Sequence, residues 1–411
     1  MSSRKRREYL HRKLKAIIHY AYKHSPAVKA RLDSRGLKPR DIQAIRDLER
    51  LPITKKTDLI DLQKRNPPFG GIATVAINEL RRIYISPGPI YEPGEMEYDE
   101  LGWVQAMFAA GFRPGDIAIN TFSYHMVPFA LNMVDNSLRR LRCITIPTGV
   151  GNTEQQVQIL RTLKANAFCG TPSFLLNIAE KAEEMGLDLK RDLMLRVGFV
   201  AAEMLPESLR SKLEEKFGMT IRQSYGTADI GCLGYECIEE NGMHVPDDKI
   251  VEIVDPETGK QLEPGQAGEI VATTFNRVYP LIRFGTGDLS ILTGERCPCG
   301  RTSARLVKIL GRADQVTKVR GLFVHPGQAD EVVSRHPQVE KYQVIVTRKE
   351  HKDEMTFRVE LKQGTDPSGR LREEIQNSIR EVMKLRGDVD FMPAGTIPVG
   401  AKKIEDRRTW E

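Results

Sequence analysis

Ser224-Tyr225-Gly226-Thr227-Ala228-Asp229-Ile230-Gly231 is the most informative stretch of this 411-residue chain, together with Arg283-Phe284-Gly285-Thr286-Gly287-Asp288 about sixty residues later. A third segment, Gly311-Arg312-Ala313-Asp314, precedes Val319-Arg320-Gly321. Each is a glycine-bearing turn that carries one or two polar side chains. Glycine lets a backbone approach a flat or charged ligand closely, and aspartates suit sugar hydroxyls or a cation. We therefore predict that these turns bind ligand.

Length and composition predict a multidomain globular protein. The chain is longer than one hydrophobic core usually supports, and its 40% hydrophobic and 28% charged residues are an ordinary globular balance. No apolar run approaches the ~20 residues that span a bilayer, so we expect no membrane partner. The basic N-terminus lacks the apolar core of a secretory signal. Six cysteines without such a signal predict a reducing compartment, the cytoplasm.

The net charge of +7 is concentrated at the two ends of the chain. The basic residues there are Arg4, Lys5, Arg6, Arg7, Arg12, Lys13, Lys15, Lys402, Lys403, Arg407 and Arg408. Nucleic-acid binding is one interpretation. The other is a solvated helix face, because Leu10, Leu14, Ile17, Ile18 and Ala21 share one side at helical spacing. That periodicity favours the solvated face, and we predict no nucleic-acid partner.

Hydrophobic patterning predicts an α/β fold. Residues 5–50 have a helical pattern. Strands are expected at 116–120, 143–147, 167–170 and 197–201, with helices at 153–163 and 173–185 between them. This alternation favours a mostly parallel sheet covered by helices. Strands at 249–254 and 269–274, joined by turn-rich segments, predict a β-rich region, and the chain from about 312 onward has the pattern of a small α+β domain.

In their order and spacing, the three glycine-bearing segments resemble the acyl-adenylate-forming ligases, most closely the phenylacetate-CoA ligase family. The resemblance covers nearly the whole chain and includes Leu51-Pro52-Ile53-Thr54-Lys55 and Thr171-Pro172-Ser173. It implies a large N-terminal α/β domain over residues 1–311, with mixed sheets and a β-rich subdomain. A small mobile α+β domain would follow over 312–411. It also implies that ATP activates a small aryl or acyl carboxylic acid as an acyl-adenylate, which CoA then attacks.

The resemblance assigns roles to individual residues. The ring of Tyr225 would stack near adenine, Thr227 would meet the α-phosphate, and Asp229 stands where the family usually has the glutamate that binds Mg²⁺. Asp288 would hold both ribose hydroxyls. The other implied nucleotide-site residues are Ser86, Gly88, Ala202, Glu203, Met204, Ser224, Gly226 and Arg312, and Asp314 corresponds to the hinge. Apart from this resemblance, Tyr225 could be an aromatic residue of the core, and Asp288 could cap a turn.

Two segments depart from the family pattern. The family's phosphate loop is rich in Ser, Thr and Gly and ends in Gly-Lys-Pro, but residues 84–94 here contain three prolines, a glutamate and no lysine. Only Ser86 and Gly88 keep the character of that loop, and proline offers no backbone N–H to phosphate. The family's C-terminal catalytic lysine falls at Gly400. Lys402 or Lys403 could serve only if the loop shifts by two or three residues.

A second group of residues has the chemistry of a zinc site. Cys237 and His244 lie in one loop region, and Cys297 and Cys299 flank a proline in a sharp turn. Two thiolates plus a Cys/His pair make four ligands of the kind that zinc prefers. Some members of the resembled family carry a structural zinc on such a set. The alternative is that the Cys237/His244 pair and the Cys297/Cys299 pair are unrelated and bind no common metal ion.

The acyl pocket is expected near Phe122, Tyr124, His125 and Phe129, beside Gly170. An aromatic lining would suit a flat aryl acid, but residues of this size are equally typical of a core. His125 could contact substrate or be a satisfied buried histidine.

Two functions remain open from the sequence. The first is an AMP-forming acyl- or aryl-CoA ligase that uses ATP, Mg²⁺ and CoA. The second is a non-adenylating relative that binds adenine nucleotide or CoA, which the altered phosphate loop and missing lysine would suit. The acid and the oligomeric state stay open, a homodimer among the options.

Overall fold

The computed structural model describes residues 1–86, 89–94, 101–256, 258–312, 317–320, 322–324 and 326–409. The chain divides into two compact units. The larger comprises residues 1–205 and 210–313, and the smaller comprises 206–209 and 314–411. The predicted positions Gly88 and Asp314 lie outside the described residues.

The α-helices are α1 (Ser3–His24), α2 (Pro26–Asp33), α3 (Lys56–Arg65), α4 (Leu101–Ala110), α5 (Asn136–Arg140), α6 (Thr153–Leu163), α7 (Pro172–Glu184), α8 (Leu189–Asp192), α9 (Glu207–Phe217), α10 (Pro326–Ser334) and α11 (Gly369–Met383). Short 3₁₀ helices cover Pro39–Asp41, Ile45–Arg50 and Ile77–Glu79, and a π-helix covers Phe129–Asp135. None of the described helices is long and apolar enough to cross a bilayer.

The strands are β1 (Arg82–Ser86), β2 (Ile90–Gly94), β3 (Ile117–Asn120), β4 (Ile144–Ile146), β5 (Ala167–Gly170), β6 (Val197–Val200), β7 (Thr220–Thr227), β8 (Gly231–Tyr235), β9 (Met243–His244), β10 (Lys249–Val254), β11 (Ala267–Thr274), β12 (Phe284–Thr293), β13 (Arg305–Arg312), β14 (Thr317–Val319), β15 (Leu322–Val324), β16 (Val339–Lys349), β17 (Lys352–Leu361), β18 (Asp388–Met392) and β19 (Ile404–Asp406).

One mixed sheet organises the larger unit. Among the described residues its eleven strands follow the order β10-β11-β12-β13-β9-β8-β7-β6-β5-β3-β4. The half from β4 to β7 is parallel, and the half from β7 to β10 is antiparallel. The parallel half confirms the alternating strand–helix prediction, since buried parallel strands are continuous apolar runs. The antiparallel half confirms the β-rich region.

The helical pattern predicted for residues 5–50 is interrupted after His24. Ser25 is extended, and its side-chain oxygen accepts a hydrogen bond from the Val28 backbone N–H at 3.4 Å. Pro26 then stands at the first helical position of α2, where its missing N–H costs nothing. The predicted apolar stripe of α1 is confirmed, because Leu14, Ile17, Ile18 and Ala21 are buried and the half-buried Leu10 packs against the same cluster.

The smaller unit is an α+β fold with its own core. Its four-stranded sheet has the order β18-β17-β16-β19, in which β16 and β17 are antiparallel and the outer strands run parallel to their neighbours. Ile375, Ile379 and Met383 of α11 pack into the same hydrophobic cluster as Val344 and Phe357 of the sheet. The predicted fold class, a large α/β region followed by a small α+β region, is confirmed.

Candidate active site

The carboxyl ends of adjacent parallel strands bring the predicted site residues together. Asn120 ends β3, Gly170 ends β5, Val200 ends β6 and Thr227 ends β7. Because these strands are neighbours and run in one direction, the segments that follow them open at the same edge of the sheet. Open α/β sheets bind ligands at this edge.

Tyr225 and Asp288 are directly joined. The Tyr225 hydroxyl donates a 2.6 Å hydrogen bond to Oδ2 of Asp288, across 63 positions of sequence. The Asp288 backbone N–H is held by the Thr286 side-chain oxygen at 3.1 Å, and its backbone pairs in register with Arg312 on the next strand. The aromatic ring and the carboxylate predicted for the nucleoside therefore lie side by side.

Thr227 and Asp229 occupy the turn between β7 and β8. The Thr227 hydroxyl oxygen accepts from the Ile230 backbone N–H at 3.2 Å, and Gly231 closes the turn at φ +81°, a conformation that favours glycine. The Asp229 side chain is only 1% exposed. Its Oδ1 atom is buried and has no hydrogen-bond partner within the described part of the chain. Such an atom suits a cation, because a buried carboxylate needs compensation.

Lys56 is a site residue that sequence reasoning missed. Its Nζ atom lies 3.1 Å from Oδ2 of Asp229, from a position 173 residues earlier on α3. The Lys56 side chain is 24% exposed, so the pair is partly screened by solvent. The only signal in the sequence was a lysine in the first turn of a predicted helix. Lysines are common at such positions, so this signal did not indicate a site residue.

The segment Ala202-Glu203-Met204 follows β6. Ala202 has φ +71°, which is strained for a residue with a Cβ. The Glu203 carboxylate accepts from the Ser173 hydroxyl at 2.9 Å and from the Ser173 backbone N–H at 3.3 Å. Its side chain therefore caps the start of α7, a favourable place for negative charge.

A cleft opens beside the Asp229 turn. It lies between the β1–β2 hairpin, the π-helix, the β7–β8 turn and the loop after β11. Its lining residues are Tyr84, Glu92, Pro93, Pro128, Asn132, Met133, Ala228, Asp229, Ile230, Gly231, Asn276 and Tyr279. Ser86 and Ser224 each have a buried hydroxyl without a partner among the described residues.

The predicted acyl-pocket residues divide into two groups. Phe122 and Phe129 pack edge to face at 4.5 Å between ring centroids, inside a hydrophobic cluster. Tyr124 donates to both oxygens of Asp135, at 2.9 and 3.0 Å, and burial raises its pKa well above the usual value. His125 is exposed. At Gly170 a Cβ would lie 2.1 Å from the Thr121 hydroxyl oxygen, so only glycine fits.

Comparison with known proteins places the chain in a family. Residues 106–276 match the AMP-binding enzymes, and residues 321–408 match the AMP-binding enzyme C-terminal domain. The phenylacetate-coenzyme A ligase of Thermus thermophilus is 32% identical over 419 residues, which cover 94% of this chain and 92% of the relative. This chain belongs to the phenylacetate-CoA ligase family.

Two further relatives support the same family assignment. The phenylacetate-coenzyme A ligase of Escherichia coli is 30% identical over 406 residues, covering 94% of this chain and 90% of the relative. A solved 2-hydroxyisobutyryl-CoA ligase, in complex with 2-HIB-AMP and CoA in the thioesterification state, matches with a TM-score of 0.87. It is 26% identical and the match covers 99% of this chain and 91% of that one. The predicted acid-CoA ligase is confirmed at the level of the family.

In the smaller unit of this ligase, Lys402 and Lys403 precede β19. Lys403 Nζ lies 2.6 and 2.8 Å from the two carboxylate oxygens of Asp330, so its charge is engaged within that unit. The Lys402 side chain is exposed, and its backbone oxygen accepts from Gln343 at 3.1 Å.

The four predicted metal ligands of the ligase form one cluster. The ligand atoms of Cys237, His244, Cys297 and Cys299 all lie within 4.8 Å of one another. The Sγ atoms of Cys237 and Cys297 are 3.7 Å apart, and Cys299 Sγ is 3.4 Å from His244 Nε2. Donors around a tetrahedral zinc at 2.3 Å are separated by roughly 3.8 Å, so the spacing fits that ion.

The surroundings of His244 and Cys299 favour the ligand forms of these two residues, whereas burial raises the pKa of the Cys237 thiol. Burial, and then the positive charge of Arg301, lower the pKa of His244 to about 4, which keeps its imidazole neutral. Burial acts to raise the pKa of Cys299, but hydrogen bonds from the Arg301 backbone and side chain outweigh it and lower that pKa. His244 Nδ1 lies 3.1 Å from the Ser303 hydroxyl, which leaves Nε2 facing the thiols.

Proposed function

We propose that this protein activates a carboxylic acid with ATP and transfers the acyl group to CoA. The acid's carboxylate would attack the α-phosphate to give acyl-AMP and pyrophosphate. The CoA thiol would then displace AMP and lose its proton. The observation that carries the proposal is the joined Tyr225–Asp288 pair beside the Asp229–Lys56 pair, at the carboxyl edge of the sheet.

The nucleoside would be held by Tyr225 and Asp288. The Tyr225 ring offers a face for adenine, and the carboxylate can accept from ribose hydroxyls. The 2.6 Å bond from the Tyr225 hydroxyl orients that carboxylate before ligand arrives. Preorganised acceptors lose less conformational entropy on binding. The backbone of Ala202, turned by its positive φ, would edge the adenine.

Lys56 would supply charge that the altered phosphate loop lacks. Residues 84–94 contain no lysine, and their prolines offer no N–H to phosphate oxygens. Lys56 Nζ is already at the Asp229 turn, so an α-phosphate held by Thr227 would meet a cation there. Positive charge aimed at the departing pyrophosphate stabilises the transition state.

Mg²⁺ would be held by Asp229. The donor set fits, because the buried Oδ1 atom has no partner within the described residues and carboxylate oxygens are the ligands that Mg²⁺ prefers. When bound, the ion would neutralise phosphate charge.

Pyrophosphate release tests the proposal. The protein is mixed with ATP, Mg²⁺ and a panel of short acyl and aryl acids. Wild type should release pyrophosphate only when an acid is present. Lys56→Met should lower kcat by about 10²–10³, the cost of losing one group that stabilises developing charge. Asp229→Ala should also lower it sharply.

Lys55→Met is the matched control. Lys55 is the exposed neighbour of Lys56, so its loss should change kcat little. AMP binding by each variant shows whether it is folded. If no acid gives release while AMP or CoA still binds, the non-adenylating alternative replaces the proposal.

The smaller unit would act as the mobile domain. We propose that it turns at the segment containing Asp314 and presents a lysine during adenylation. Lys402 is the better candidate, because Lys403 is already paired with Asp330. Lys402→Met should then lower pyrophosphate release more than Lys403→Met, and equal effects would contradict this choice.

The cysteine–histidine cluster would hold a structural zinc. All four coordination positions are filled by protein, which is typical of structural rather than catalytic zinc. The ion would join the β8–β9 region to the loop between β12 and β13. Purified protein should contain about one equivalent of zinc. Cys299→Ser should release it and lower the melting temperature.

Cys143→Ser is the control for the zinc experiment, because Cys143 lies outside the cluster. It should leave the zinc content unchanged. Protein that carries no zinc after purification without chelator, and is no more stable when zinc is added, would contradict the assignment.

A further inference from the structure

Lys249 is a buried lysine that the proposed reaction does not use. It is the first residue of β10, and only 1% of its side chain is exposed. Lysine is almost never fully buried unless its charge is paired. Replacing a buried ion pair by apolar residues often leaves stability unchanged or raises it, so stability alone gives little reason for an ammonium group here. The contacts of Lys249 point to another role.

The ammonium group of Lys249 holds the turn between β7 and β8. Its Nζ atom donates a 3.0 Å hydrogen bond to the backbone oxygen of Ile230, 19 positions earlier in the sequence. The Ile230 backbone N–H donates to the Thr227 hydroxyl oxygen at 3.2 Å. Ile230 is itself 1% exposed and lies in the same hydrophobic cluster as Leu233. The residue that directly follows Asp229 is therefore fixed at its N–H, its carbonyl and its side chain.

Asp248 links Lys249 to the helix that packs against the same turn. Oδ1 of Asp248 lies 3.4 Å from Lys249 Nζ, and Oδ2 accepts from the Gly102 backbone N–H at 3.0 Å, in the first turn of α4. The next residue of α4 is Trp103, which is completely buried. A Cβ placed on Gly226 would lie 2.9 Å from two carbons of the Trp103 ring, so the indole presses against the turn. One connected set of contacts thus braces the turn from two sides.

This bracing bears directly on Asp229. The Asp229 side chain is 1% exposed, its Oδ2 lies 3.1 Å from Lys56 Nζ, and its Oδ1 is the atom proposed to bind Mg²⁺. An aspartate side chain is short, so any movement of the turn moves both carboxylate oxygens. Replacing a group that orients a metal ligand typically costs about 10–100-fold in metal affinity or activity.

We propose that Lys249 is a positioning residue, whose buried ammonium fixes the Ile230 carbonyl so that Asp229 is held ready for Mg²⁺. This rests on the proposed ligase function and on Asp229 as the Mg²⁺ ligand. Lys249 acts through the turn rather than by contact with the nucleotide. A charged donor makes a stronger hydrogen bond than a neutral one, which suits a turn that must keep its shape when phosphate and a cation arrive.

Calorimetry with α,β-methylene-ATP, which cannot release pyrophosphate, tests the proposal. Its Kd is measured with Mg²⁺ and with EDTA, for wild type and for Lys249→Met, which keeps an unbranched side chain but loses the ammonium. The Kd in Mg²⁺ should rise by about tenfold or more in the variant. The Kd in EDTA should change little, because Tyr225 and Asp288 are untouched. A merely structural role would raise both values together.

Lys260→Met is the matched control, because Lys260 is an exposed lysine in the loop that follows β10. It should leave both Kd values unchanged. If Lys249→Met does not fold, Lys249→Gln takes its place, since its neutral amide has a shorter reach. A folded Lys249 variant that gains as much affinity from Mg²⁺ as wild type overturns the proposal. Equal rises in both Kd values, or an equal loss in Lys260→Met, also overturn it.

The same measurements separate this inference from the ligase proposal. Wild type that binds the analogue more tightly with Mg²⁺, yet releases no pyrophosphate from ATP with any acid, contradicts the ligase proposal alone, and the calorimetry still decides the role of Lys249. Wild type whose affinity for the analogue does not respond to Mg²⁺ contradicts Asp229 as the Mg²⁺ ligand, and the role of Lys249 fails with it.

Discussion

Replacing Asp288 by Asn should weaken AMP binding by about 1.5–3 kcal/mol, the usual cost of losing a hydrogen bond to a charged group. At 1.4 kcal/mol for each factor of ten, this is roughly a 12- to 140-fold rise in Kd. Asparagine keeps the shape of the aspartate side chain. The lost binding free energy therefore reports how much the carboxylate charge strengthens the hydrogen bonds from the ribose hydroxyls. Isothermal titration calorimetry with AMP measures it directly.

Two comparisons make this experiment specific to the ribose. Tyr225→Phe removes the hydroxyl that donates to Asp288 but keeps the ring, so it should cost less than Asp288→Asn. A 2′,3′-dideoxy analogue of AMP has no ribose hydroxyls to bind. It should bind Asp288→Asn and wild type about equally. An Asn variant that binds AMP as tightly as wild type, or loses the same affinity for both nucleotides, would refute the ribose assignment.

Three further outcomes concern stability. Arg283→Ala should lower the free energy of unfolding by about 3–5 kcal/mol in urea titration, because it strands the buried carboxylate of Glu252 3.2 Å away. Gly226→Ala should cost about 1–3 kcal/mol in the same assay, since the added methyl has no room. Burial lowers the pKa of His336, which lies 2.9 Å from Ser378, so the unfolded chain binds the proton more readily. Stability should therefore fall as pH drops below about 6.5, and His336→Gln should lose part of that dependence when unfolding is compared at pH 5 and 8.

The strand–helix alternation was predictable because each buried parallel strand is a short apolar run with its own turn residues. The predicted strand at 249–254 and helix at 153–163 coincide with β10 and α6. Local preferences suffice for such elements. The break at Ser25–Pro26 was also readable, as an N-cap followed by proline, but the helical periodicity on both sides concealed it.

The candidate site was only partly predictable. Tyr225 and Asp288 were named from separate turns, and the structure adds the bond that joins them. Lys56 could not be found, because a lysine in the first turn of a helix has no distinctive pattern and its partner is 173 residues away. The four zinc-type ligands were named from residue type, and their 4.8 Å grouping depends on the pairing of β9 with β13.

By itself the sequence determined the fold class, the family and the residue types available for nucleotide and metal, because these depend on local periodicity and on glycine-bearing turns. Only the tertiary structure decided which side chains are neighbours in space. Trp103 is an apolar residue on an ordinary helix until the sheet places its ring against Gly226. Side-chain packing between distant elements therefore decides what lies beside the Gly226 turn, and no pattern within one segment encodes that contact.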